Sequence, residues 1–230
     1  MSSTLTVFLS LMGGVLPALL WLWFWLREDK KRPEPKRRIV TAFVFGMLAV
    51  VLVLPIEQFV FKLLGPNLNI EILSLWAITE EVLKFLAAYF AAIRSRDADE
   101  PIDFVIYMVT VALGFSALEN SLFLAKLMGD GLISQSIISG NMRFLGATLL
   151  HTITSATVGI FMAMSFYRSQ KNKKLSLGAG IMFAIILHTI FNFFIISLGI
   201  RVFFVFGAVW LFIIALILLF EKIKTIDPKN

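Results

Sequence analysis

The chain has no cysteine and only two histidines among its 230 residues. The first absence excludes disulfides, cysteine-ligated zinc and thiol catalysis, and says nothing about compartment. Charge is scarce as well. Asp, Glu, Lys and Arg make up 16% of the chain, against about a quarter in soluble domains. No HExxH stands anywhere, so the familiar two-histidine helix of the zincins is missing. No serine sits in a nucleophile motif. There is no internal repeat and no separate soluble domain, so residues 1–230 read as a single transmembrane domain.

Apolar residues fill the space that charge leaves. They make up 59% of the chain, and the mean hydropathy is +0.88. They fall in runs of about 20, the length that crosses a hydrocarbon core of about 30 Å. The fold class is therefore all-α: a polytopic protein in a lipid bilayer, with about seven transmembrane helices. The predicted spans are 5–26, 39–61, 72–93, 103–127, 144–167, 175–198 and 201–220. The first run lacks a positive n-region, is too long for an h-region and runs straight into "REDKKRPEPKRR". It reads as a span and not as a cleaved leader.

Basic residues alternate from loop to loop. The segments 27–38, 94–102 and 168–174 and the tail after 220 hold 7, 2, 4 and 3 Lys or Arg. The opposite side holds only Lys62, Lys126, Arg143 and Arg201. The positive-inside rule then puts the N-terminus outside and the C-terminus, with the 221–230 tail, in the cytoplasm. It also explains the net charge of +6, which is no sign of nucleic-acid binding. The longest outer connection is 128–143, either an ordinary connector or a partly helical cover.

Against this background "TEEVLK" stands out. It sets Glu80, Glu81 and Lys84 inside the third span, where each costs about 2.5–3.5 kcal/mol on insertion scales. Glu119, His151, His188 and Asn192 fall inside the next three spans. Counted from the outer ends, these groups meet at one level, roughly 9–15 Å deep at about 1.5 Å per residue. Glu80 and Lys84 are four apart, as are His151 and Ser155, and His188 and Asn192, so each pair shares a helix face. Lipid is the wrong direction for such faces, and they must turn toward a common cavity. A single Glu–Lys pair or buried histidine would be only a packing device. Agreement across four helices points to a site. Glu57 lies one turn from the outer end of its span, where a side chain can snorkel, and stays outside the predicted set.

Two neighbouring carboxylates in a low-dielectric cavity do not both ionise cheaply. One can take a proton from water and return it to a leaving amine. Lys84 would hold the other ionised, and His and Asn can donate to an oxyanion. The same residue types also suit zinc with water as the open ligand. The residues alone do not choose between these.

The motifs resemble those of the PrsW family of intramembrane proteases, within the CAAX-prenyl-protease and bacteriocin-processing group. EExxK stands as Glu80-Glu81-Val82-Leu83-Lys84, and FxxxEN as Phe115 to Glu119-Asn120. A histidine on the next helix matches His151, and HxxxN matches His188 to Asn192. The order holds over about residues 70–195, the protease-like core. Prenyl-protease relatives show EExxxR, so Lys84 favours the PrsW branch. The resemblance implies a peptide hydrolase of the plasma membrane. It would cut a single-pass membrane protein such as an anti-sigma factor on the extracytoplasmic side, in a site-1-type cleavage belonging to a stress response. Glu80, Glu81, Glu119, His151 and His188 would be catalytic, with Lys84, Asn120 and Asn192 orienting. A metal ion, if one is used, would fall to Glu81, Glu119, His151 and His188. The rival readings are a proton, ion or small-solute transporter using the same cluster, and a non-enzymatic scaffold. Transporters usually show inverted repeats and broken helices, and neither is evident.

Overall fold

A computed structural model describes residues 3–28, 32–65, 68–197 and 202–226. Among these there are helices and no strand. The helices are α1 (Ser3–Glu28), α2 (Lys36–Leu64), α3 (Ile70–Ala88), α4 (Pro101–Gly129), α5 (Ile133–Leu145), α6 (Ala147–Met164), α7 (Gln170–Ser197) and α8 (Val202–Ile223). α3 continues into one π-helical turn, Tyr89–Ile93. Helices are the expected answer in lipid, because each satisfies its own backbone groups.

Local sequence sets the ends. Asn69 caps α3, its side chain accepting from the Ile72 N–H at 3.0 Å. Glu71 in the first turn suits the helix dipole. Pro101 opens α4, where a missing N–H costs nothing. Gly65, at φ 93°, closes α2 in the left-handed conformation that glycine adopts freely.

Among the described residues six stretches are long and apolar enough to cross a membrane. α5 and α6 count there as one, and α3, with its three internal charges, is the helix left over. The protein is thus a multi-pass, all-α membrane protein. α4 is its axis, with 89% of its central span buried. It packs against α1, α2 and α6, while α3 sits on α2 and α7. Close approach replaces hydrophobic drive between helices in lipid. A Cβ on Gly114 would fall on the Phe43 carbonyl of α2, and one on Gly46 on the Val111 carbonyl of α4. The segment predicted as the 128–143 connector is largely a helix. α5 runs from 133 to 145, and α6 starts at 147 where a span was predicted from 144. The predicted start at 201 and end at 198 lie outside the described residues.

Candidate active site

Neighbouring residues on a helix point about 100° apart, so Glu80 and Glu81 cannot face the same point. Their surroundings differ accordingly. Glu81 is fully buried, and its Oε1 accepts from Lys84 Nζ at 2.7 Å and from His188 Nδ1 at 2.7 Å. With its Nδ1 proton donated, His188 keeps a lone pair on Nε2, which lies 3.9 Å from Glu80 Oε2. On the other side Glu119 Oε2 takes the Nε2 proton of His151 at 3.0 Å. That leaves the lone pair of His151 on Nδ1, 3.7 Å from the same Glu80 Oε2. The two imidazoles stand edge to face, 5.2 Å apart.

The two histidines are therefore held alike. Each gives one ring nitrogen to a carboxylate and turns the other toward Glu80. Glu80 Oε2 is buried and has no hydrogen-bond partner among the described residues. Such an orphan acceptor costs about 1–3 kcal/mol or more, so it marks a place built for something else. Ser155 Oγ and Thr189 Oγ1, beside the two histidines, are buried and unpartnered as well.

Lys84 is buried completely. Its ammonium also reaches His151 Nδ1 at 3.2 Å and Thr154 Oγ1 at 3.5 Å. It lies over the Phe115 ring, 5.4 Å from the centroid. Asn120 ties α4 to α6, its Nδ2 donating to Ser116 Oγ at 3.1 Å and to Thr148 Oγ1 at 3.0 Å. Asn192 is half-buried and lines a small separate cavity with Met142, Arg143 and Phe191. It makes no hydrogen bond with the cluster among the described residues.

The side chains of Glu80, Glu81, Lys84, Glu119, His151 and His188 thus come together, and Asn192 stands aside. Two residues join that sequence reasoning left out. Glu57 is half-buried on α2, with its carboxyl close enough to that of Glu80 to interact with it. Trp76 Nε1 donates to its backbone carbonyl at 3.2 Å. The missing signal was the end of α2. Counted from Leu64, Glu57 lies two turns in, level with the others. Arg143 comes from α5: its Nη2 lies 2.8 Å from Glu119 Oε1, and its Nε donates to Asn120 Oδ1 at 2.5 Å. No periodic signal could have placed a residue of a predicted connector here.

The donor set also answers the metal question in part. Ligand atoms of Glu80, His151 and His188 lie within 4.8 Å of one another. Two imidazoles and a carboxylate suit zinc. The carboxylates behind each imidazole are the usual outer support of such a ligand. This group differs from the predicted set with Glu81 and Glu119, because both of those engage the outer ring nitrogens while Glu80 faces the inner ones. Lys84 opposes an ion, since an ammonium and a metal cannot share the Nδ1 lone pair of His151.

The chain was also compared with known proteins. Residues 34–219 match the family described as PrsW family intramembrane metalloprotease. Protease PrsW of Geobacillus kaustophilus is 25% identical over 189 residues, covering 80% of this chain and 79% of that one. Protease PrsW of Shouchella clausii is 27% identical over 190 residues, covering 82% and 84%. Protease PrsW of Clostridioides difficile is 26% identical over 186 residues, covering 78% and 76%. No solved structure matches.

Proposed function

Because the chain belongs to the PrsW family of intramembrane proteases, we propose that it hydrolyses a peptide bond of a single-pass membrane protein, of the anti-sigma-factor kind, near the extracytoplasmic side of the plasma membrane. The observation that carries the reading is the buried Glu80 Oε2, unpartnered among the described residues, facing the inner nitrogens of two carboxylate-held histidines. The side of the membrane is supported by the charged loops, whose positive-inside pattern favours an N-terminus outside.

Glu80 is the carboxylate at the focus. Acting alone, it takes a proton from a water that attacks the peptide carbonyl, and hands it to the leaving amine. His151 and His188 face the same point with acceptor nitrogens and help to orient the attacking water by its O–H groups. Glu81 and Glu119 fix the two rings, and Lys84 balances Glu81. In the metal-assisted form Glu80, His151 and His188 are the residues that would hold zinc. Bound there, zinc supplies Lewis acidity and a more acidic water. The roles of Glu81, Glu119 and the rings' outer nitrogens are the same in both forms.

The test is co-expression with a tagged panel of single-pass membrane proteins, anti-sigma-like ones included, beside Glu80→Gln. A truncated product seen with the wild type and absent with the variant supports the reading, and its new terminus locates the cut. Equal cleavage by Glu80→Gln would sink it.

A further inference from the structure

Every site residue on α3, α6 and α7 is carried by a helix of the main bundle. Arg143 is not. It belongs to α5, a short helix that turns Ile133, Ile137 and Ile138 outward. The remaining side-chain hydrogen bonds described for α5 stay within its own turns. Ser136 Oγ donates to the Leu132 carbonyl and Asn141 Nδ2 to the Ile137 carbonyl. Arg143 is thus the polar fastening of α5 to the rest of the molecule.

It fastens to one place. On α4, Phe123 follows Glu119 by four residues and Asn120 by three, so its ring stands beside both. The guanidinium meets Glu119 at 2.8 Å and Asn120 at 2.5 Å, and lies 4.6 Å from the Phe123 ring centroid. A planar fork can satisfy two acceptors and a ring at once, whereas an ammonium presents a point charge. Glu119 then has one oxygen on Arg143 and the other on His151 Nε2.

We propose that Arg143 is a positioning residue that makes the orientation of His151 depend on the seating of α5. By gripping Glu119 it fixes the carboxylate that accepts the His151 Nε2 proton. His151 Nδ1 is then turned toward Glu80. Lifting α5 removes the grip on Glu119 and leaves His151 Nε2 without a fixed acceptor. The inference rests on the proposed active site for its meaning, but not for its test.

The chain has two histidines, so imidazole N–H protons can be assigned with two single variants. In nitrogen-15 histidine-labelled protein in lipid, each ring should give one protected proton, His151 toward Glu119 and His188 toward Glu81. Arg143→Gln is expected to lose the His151 proton to fast exchange and to keep that of His188. Arg143→Lys, which keeps charge but not the fork, gives an intermediate exchange rate. If the His151 proton of Arg143→Gln exchanges as in the wild type, with His188 intact, the proposal is overturned. Loss of both signals means that the glutamine variant has unfolded. Arg143→Lys then decides alone: faster exchange at His151 supports positioning and a wild-type rate overturns it. Cleavage plays no part in this readout, so a failed protease assignment and a failed role for Arg143 are told apart.

Discussion

Two polar networks sit at opposite ends of the same bundle, and they are built differently. The one at the charged-loop end is settled. Arg38 pairs with Asp97 at 2.6 Å, Arg32 with Glu100, and Tyr107 donates to Glu34. The buried Asp103 accepts from the N–H groups of Asp99 and Glu100 at 2.9 and 2.7 Å. None of the six buried side-chain atoms left without a partner among the described residues belongs to this network. At the other end four of the six cluster around two histidines, on Glu80, Glu81, Ser155 and Thr189. Among the described residues four carboxyls, of Glu57, Glu80, Glu81 and Glu119, lie near two permanent cations, Lys84 and Arg143. A finished network is what tying loops together requires. An unfinished one stays costly until a proton, a water, a cation or a substrate completes it.

The widest gap between the networks should show on neutralising one carboxylate in each. Glu80→Gln keeps shape and removes the focus of the site. Cleavage should fall about 10²–10⁴-fold, the usual worth of a general acid–base group, with the protein still membrane-inserted on a fractionation blot. Asp103→Asn retains an oxygen for both N–H groups, and its cleavage should match the wild type. Next comes metal removal. If the site works with zinc, chelation abolishes cleavage, added zinc restores it, and His188→Ala lowers bound zinc measured by elemental analysis. Cleavage that persists in metal-free protein would assign the chemistry to Glu80 alone. Glu119→Gln acts one step back, through the ring of His151, and should cost about 10–100-fold in the same assay.

These predictions rest unequally on sequence. The all-α, polytopic character was legible in hydropathy, because lipid leaves few alternatives. EExxK and its partners were legible because polar groups in apolar spans are conspicuous. Adjacency was harder. Which of Glu80 and Glu81 lies between the two histidines depends on how α3 is rotated against α2 and α7, and no spacing encodes that. Glu57 was missed because α2 runs on to Leu64, beyond the predicted end at 61. Asn192 shared a stripe with His188 in the sequence, yet its side chain lines a small cavity with Met142, Arg143 and Phe191 and makes no hydrogen bond with the cluster among the described residues. Arg143 was out of reach, since an amphipathic cover and a loop read alike over a dozen residues.

The smallest expected effect tests the comparison from its quiet side. Arg38 and Asp97 are each about one-third exposed, at 36% and 37%. A pair so placed is worth about 0–1 kcal/mol. Arg38 also donates to the Ala91 carbonyl at 3.3 Å. Ala91 lies in the π turn that ends α3, where the ladder shifts register and a carbonyl gains from an outside donor. Arg38→Ala should therefore loosen the end of α3 and lower thermal stability by about 1 kcal/mol or less. Lys84 lies on the turn before that π segment, but it is held from three sides by Glu81, His151 and Thr154. The disturbance should stop there, and cleavage by Arg38→Ala should stay at the wild-type rate. A loss of cleavage comparable with that of Glu119→Gln would show that the π turn transmits strain to Lys84, and the two networks would then have to be treated as one.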